Sequence, residues 1–281
     1  LINIFYNEEQ SIYVHSTSPS PGKPQRVVAE WQRLFPDNIN IIPFAPVAKE
    51  QLYTVHDRAY VDGVLAGTRN NGFGTKDVAV AQSLLHTSGS MLSAAQDALL
   101  TKTVAVSPTS GFHHACYANG GGFCTFNGLA LTAYELHLHG LAKKVGILDC
   151  DYHYGNGTDN IIKHCDLDFF ITHITAGAHY GIRAQAQEFM DELPAMLKSL
   201  NGCDIILYQA GADPHINDPL GGFLTSEQMR ERDRLVFSFC SSRKIPVAWN
   251  LAGGYQEPLQ KVLDLHNATM EECVKAYENK A

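Results

Sequence analysis

Cysteine is sparse and unpatterned in this chain, and the missing pattern excludes most of what cysteine does. The seven thiols stand at 116, 124, 150, 165, 203, 240 and 273, with no C-x-x-C and no paired spacing. A disulfide framework or a thiolate zinc knot needs such spacing, so reduced thiols in a cytoplasmic protein are expected. No apolar run approaches the ~20 residues that cross a bilayer, which argues against a membrane partner. The opening "LINIFYNEEQ" has no basic stretch followed by an apolar one, so no secretory signal is expected. Positive charge is in short supply: 21 Lys and Arg stand against 29 Asp and Glu, for a net charge of −8. That balance argues against direct binding to a nucleic-acid polyanion and mildly suits a cationic ligand.

What the chain does contain is alternation. Its 281 residues, 45% hydrophobic and 18% charged, have the composition of a globular protein with a sizeable core. Val- and Ile-rich runs predict strands at 103–106 ("TVAV"), 144–149 ("KVGILD"), 167–173 ("LDFFITH"), 203–209 ("CDIILYQ") and 245–252 ("IPVAWNLA"). Helical spacing predicts helices over 77–100, 126–139, 185–200, 225–242 and 257–277. Gly89 interrupts the first of these. Thr225 and Gln228 make a capping box for the fourth, and Pro258 sits in the first turn of the last. "STSPSPGKP" (16–24) reads as a turn-rich loop. Strands alternating with helices give a mostly parallel sheet covered on both faces, here one α/β domain over residues 1–281.

In such sheets ligands bind beyond the carboxyl ends of the strands. The polar clusters fall there: "SPTSGFHHA", "DCDYHYGNG", "GADPHINDP" and "GGY" each follow a predicted strand. In "LDCDYHYGNG" (148–157), a strand that continued would put Asp149, Asp151 and His153 on one side. Adjacent buried carboxylates need a cation or several donors. Asp151, His153 and Asp213 together make a set of two carboxylates and one imidazole, suited to a catalytic zinc or another borderline divalent ion. Asp149 could ligate too, or accept a hydrogen bond from an imidazole; the second role is preferred.

"GFHHACYANGGGFCTFNG" (111–128) presents His113 and His114 in tandem, which suggests proton handling. An acid and a base need different surroundings: Asp149 would tune one imidazole, and Asn156 could only hydrogen-bond the other. Gly120, Gly121 and Gly122 stand in the wrong order for a phosphate loop, and close approach of backbone to a ligand channel explains them better. In "LAGGY" (251–255) two glycines bring Tyr255 to the same rim, where a phenol could donate to a developing oxyanion.

Taken together, "GFHHA" with "GGGFCTFN", "ILDCDYHYGNGTD", "QAGADPHINDPLGGFLT" and "LAGGY" resemble the histone deacetylase family, in the arginase–deacetylase fold, from about residue 20 to residue 265. The resemblance implies an α/β domain with a parallel sheet of about eight strands. It implies one zinc held by Asp151, His153 and Asp213 with a position left for water, and hydrolysis of an N-acetyl amide. The substrate would be acetyl-lysine, an acetylated polyamine or another small acetylated amine. His114 would be the general base and His113 its electrostatic partner, oriented by Asn156 and Asp149 respectively. Tyr255 would polarise the amide carbonyl, Phe123 would wall a narrow tunnel beside Gly122, and a structural potassium would sit near the 149–153 backbone.

This chain departs from the family pattern in three places. Tyr154 follows the His ligand where many relatives have a second His. Asn156 replaces an Asp found in some subgroups, and the 173–213 stretch is short, leaving Tyr180 or His179 as the second tunnel wall. Two other readings fit the same residues less well. A binuclear manganese ureohydrolase needs a D-x-D that "GADPHINDP" lacks, and a silent acyl-binding relative should have lost Tyr255 or a ligand.

Overall fold

The computed structural model describes residues 1–12, 14, 16 and 18–278. Its strands are β1 (Ile2–Phe5), β2 (Ile39–Ile42), β3 (Val104–Ser107), β4 (Val145–Asp149), β5 (Ile171–Thr175), β6 (Ile205–Gln209) and β7 (Val247–Asn250). Its α-helices are α1 (Lys23–Leu34), α2 (Lys49–Leu52), α3 (Arg58–Leu65), α4 (Val78–Thr101), α5 (Gly128–Leu138), α6 (Asn156–His164), α7 (Ala186–Ser199), α8 (Ser226–Arg243) and α9 (Gln260–Glu278).

The strands form one sheet in the order β2-β1-β3-β7-β6-β4-β5, and each described pairing is parallel. Strand alternation sorts the core into two layers. Ile4, Val106, Leu148, Tyr208 and Trp249 face a core closed by α1, α7, α8 and α9. Ala105, Ile147, Leu207 and Ala248 face the other, closed by α3, α4 and α5. β3, β4, β6 and β7 are buried along their whole length, which is why they read as unbroken apolar runs. No helix among the described residues is long and apolar enough to cross a membrane.

Seven strands stand where about eight were expected, within the anticipated architecture. The predicted helices are present with shifted ends; the last begins at Gln260, so Pro258 precedes it rather than standing in its first turn, and the starts of α4, α5 and α8 are capped by side chains. Asp77 accepts from Ala79 N–H at 2.8 Å, Asn127 from Ala130 N–H at 3.0 Å and Thr225 from Gln228 N–H at 3.2 Å. The strand expected at 167–173 begins only at Ile171, because Leu167 to Phe170 form a turn. The loop expected at 16–24 gives way to α1 at Lys23, with Pro24 in the first turn where it costs no hydrogen bond. Thr17 of that loop lies outside the described residues.

Gly89, mid-helix in α4, also has a reason. A Cβ there would lie 2.5 Å from the Ala45 carbonyl oxygen, so glycine lets the segment before α2 pass against the helix.

Candidate active site

The central strands β3, β7, β6 and β4 are consecutive neighbours, so the loops leaving their carboxyl ends meet. β4 ends at Asp149, and residues 151–153 leave the sheet in a bend. Strand alternation is therefore not what unites Asp151 with His153. The carboxylates themselves hold the bend: Asp151 N–H donates to Asp149 Oδ1 at 3.1 Å and His153 N–H to Asp151 Oδ1 at 2.9 Å. β6 delivers Asp213 through Gly211, where a Cβ would lie 2.8 Å from Asp151 Cα. Only glycine allows the two loops to approach so closely.

Asp151, His153 and Asp213 each offer a ligand atom, all within 4.8 Å of one another. His153 Nδ1 lies 3.2 Å from Asp151 Oδ1 and 3.0 Å from Asp213 Oδ2. Both carboxylates are buried. Burial, then the Asp151 charge, raises the pKa of Asp213. Burial alone would depress His153, but its hydrogen bonds to Asp151 and Asp213 lift it to about 11. Without a metal the site thus takes up a proton as its cation. The donor set suits a divalent ion, and the backbone leaves room for one. A Cβ on Gly253 would lie 2.2 Å from Asp213 Oδ2 and 2.8 Å from Asp151 Oδ2.

The two histidines lie beside this set, ring centroids 4.1 Å apart. His113 Nδ1 is 2.7 Å from Asp149 Oδ2, and His114 Nδ1 is 2.6 Å from Asn156 Oδ1. Asp149 is itself fixed by Gln209 Nε2–H, which donates to its other oxygen at 3.1 Å. Burial would lower the His113 pKa, but Asp149 and Asp151 lift it to about 9. Burial, then the charge on His113, lowers His114. Helix α6 builds this arrangement. It opens on Asn156, and its Gly157 and Thr158 N–H groups donate to the His113 carbonyl at 2.8 and 3.1 Å.

Gly122, Phe123, His113, Asp151, Gly253 and Tyr255 line one narrow cavity. Gly122 takes φ +53 and passes so near His114 that a Cβ would sit 2.5 Å from its ring. The Tyr255 ring is 5.8 Å from Phe123 and 6.5 Å from His153, between centroids. Burial, then the charges of Asp213 and Asp151, raises its pKa, so it stays a phenol.

Tyr180 is elsewhere. It packs on Phe189 with ring centroids 5.3 Å apart, and its hydroxyl donates to Glu192 at 2.6 Å. The expectation that it forms the second tunnel wall is corrected: the short segment after β5 turns this ring into the core. His179 beside it is exposed. Tyr154 is exposed as well, its hydroxyl donating to Asp159 at 2.6 Å.

Two contributors carried no motif. Phe73, in the loop before α4, packs tilted against Phe123 with ring centroids 5.8 Å apart, and the two line an adjoining cavity. Lys23 of α1 is fully buried and donates to the Ala252 carbonyl at 2.7 Å. Burial lowers its pKa to about 8, against the pull of Asp213 and Asp151. A lysine within "PGKP" gives no local sign of facing a core, whereas Phe73 among Asn and Gly could have been suspected as a rim aromatic.

Comparison with known proteins agrees with this geometry. A cyanobacterial protein of uncharacterised role from Picosynechococcus sp. is 28% identical over 239 residues, covering 77% of this chain and 79% of its own. Histone deacetylase 2 of Arabidopsis thaliana is 27% identical over 179 residues, 57% of this chain, of which they make up 46% of the plant protein. The crystal structure of acetylpolyamine aminohydrolase from Burkholderia pseudomallei superimposes with a TM-score of 0.75 at 15% identity, over 97% of this chain and 98% of that one, a likeness of fold. The histone deacetylase domain model matches residues 19–179 and 170–270, a span that takes in the ligand set, the histidine pair and Tyr255, and the chain therefore belongs to the histone deacetylase family.

Proposed function

We propose that this chain, as a single catalytic domain over residues 1–281, hydrolyses an N-acetyl amide of lysine, a polyamine or another small amine with the help of one zinc ion. Family membership supports amide deacetylation. The observation that carries the finer reading is the meeting of Asp151, His153 and Asp213 within 4.8 Å, beside two imidazoles driven to opposite protonation states. Among the described residues one such three-ligand cluster occurs, which favours a single ion over a binuclear centre. Ions of this kind polarise a carbonyl and make water a better nucleophile.

The remaining work falls to the protein's own groups. His114, held neutral, takes a proton from the attacking water at Nε2, because Nδ1 is engaged by Asn156. His113, paired with Asp149, stays cationic and stabilises negative charge as it develops nearby. The phenol of Tyr255 donates to the carbonyl oxygen as that oxygen gains charge. His114 then returns its proton to the leaving amine. Phe123 and Phe73 grip an unbranched alkyl stem, which both lysine and polyamines provide. The test is acetate release from an acetyl-lysine peptide, an acetylated polyamine and a neutral acetamide, before chelation, after it, and after zinc, iron(II) or cobalt(II) is restored. Turnover indifferent to metal removal would end the proposal.

A further inference from the structure

We infer that Asp218 is a positioning residue for Tyr255, so that the loop supplying a metal ligand also sets the place of the phenol; this rests on the deacetylase reading of Tyr255. The reason begins with the backbone. Tyr255 follows Gly253 and Gly254, and Gly254 has φ +146. Two glycines give the chain freedom, and a side chain beyond them is placed only if something holds it. On the near side the hold is Asp151, whose Oδ2 accepts from Gly253 N–H at 2.8 Å.

On the far side the hold is Asp218. Its Oδ2 accepts from Tyr255 N–H at 2.7 Å, and its Oδ1 accepts from Leu220 N–H at 3.0 Å. The next residue is tied to the same loop, since Gln256 Nε2–H donates to His215 Nδ1 at 3.2 Å. That loop is itself stiff. Asp218 N–H donates to the His215 carbonyl at 2.8 Å, and His215 Nε2 pairs with Ser226 Oγ at 3.0 Å at the start of α8. Gly221 closes it so tightly that a Cβ would lie 2.1 Å from the Asp213 carbonyl oxygen.

Asp218 is 6% exposed and forms no salt bridge among the described residues. A buried carboxylate without a cation is costly, and both of its oxygens are committed to backbone N–H groups. Leu220 alone could be satisfied by an asparagine oxygen. The second bond, to Tyr255, is what requires a second acceptor: the asparagine amide would face the Tyr255 N–H donor to donor. The chain thus bears the cost of a buried charge where it fixes the backbone of the phenol.

Asp218→Asn tests this in two ways. Misplacing a catalytic group by about 1 Å can cost roughly 100-fold, so kcat should fall about 10- to 100-fold with KM and zinc affinity nearly unchanged. In a Tyr255→Phe background the same substitution should cost almost nothing further, because Asp218 acts through the lost hydroxyl. Full, multiplicative losses in the double variant would overturn the inference. The second readout needs no turnover. By amide hydrogen exchange, Tyr255 N–H should be protected in the wild type and lose protection in Asp218→Asn, while Gly253 N–H keeps its own. Equal exchange at Tyr255 in both proteins, or an unprotected Tyr255 amide in the wild type, overturns it. Should Asp218→Asn not fold, Asp218→Ser enters the same cycle, and the wild-type exchange already decides. A wild type inert on every acetyl substrate, with the exchange pattern intact, would instead condemn the function and leave the latch standing.

Discussion

His113 and His114 share a peptide bond yet meet opposite surroundings. His113 is pressed against Asp149 and Asp151 and holds its proton to about pH 9. Burial, then the charge on His113, lowers the pKa of His114, whose Nδ1 meets a neutral amide. A base works unprotonated, so activity should fall on the acid side only as His114 gains a proton. Asn156→Asp puts a charge at the 2.6 Å contact and raises that pKa. The acid limb of kcat/KM should then move to higher pH, and an unmoved limb would assign the base elsewhere. Tyr255→Phe removes a donor without emptying the cavity; kcat should drop roughly 10²- to 10³-fold with metal content intact, by steady-state kinetics and metal analysis. At this scale the sequence was most readable where residue type is chemistry. Asp151, His153, Asp213, the histidine pair and Tyr255 could be picked out because carboxylate, imidazole and phenol recur after strands. Tyr180 could not be placed, since nearness to a motif says nothing about which way a ring turns.

Among the elements, legibility followed length and burial. The long amphipathic helices α4, α7, α8 and α9 were readable from their apolar spacing. β1 and β2, four residues each, carry too few positions for a period to emerge. α6 opens on Asn-Gly, which reads as a turn, and it forms because the His113 carbonyl accepts its first N–H groups from outside the helix. That support is tertiary and has no local signature. Gly89 in α4 makes the same point as a prediction. By propensity, Gly89→Ala should stabilise a helix interior by about 1 kcal/mol. The added methyl would instead meet the Ala45 oxygen at 2.5 Å and Pro46 Cα at 3.0 Å, both backbone atoms. Overpacking of this kind costs roughly 1–3 kcal/mol, so Gly89→Ala should lower the urea midpoint. A gain in stability would mean that the segment before α2 does not rest on α4.

Across the whole molecule, the sheet gathers negative charge at one end and leaves it short of cations. Asp149, Asp151, Asp213 and Asp218 are all buried there, with two buried cations near them: Lys23, drawn toward the carboxylates, and Arg232, which is already paired with Asp233. Protons make up the shortfall in the metal-stripped protein, and this gives its stability a definite pH dependence. His113 releases its proton near pH 6.5 when unfolded but near 9 when folded, and His153 later still. Groups whose pKa is raised by folding stabilise fully below the unfolded value and lose that contribution as pH climbs through the folded one. Asp213, also raised, acts in the same sense. The chelated protein should therefore melt at progressively lower temperatures as pH climbs from 6.5 to 9. Zinc bound by Asp151, His153 and Asp213 would supply the charge that those protons supplied, and would have to displace the one on His153 to bind. The rise in melting temperature on adding zinc should consequently grow from pH 6.5 to pH 9, as scanning calorimetry with and without the metal would measure. An increment that shrinks over that range would mean that the ion is held by groups other than Asp151, His153 and Asp213.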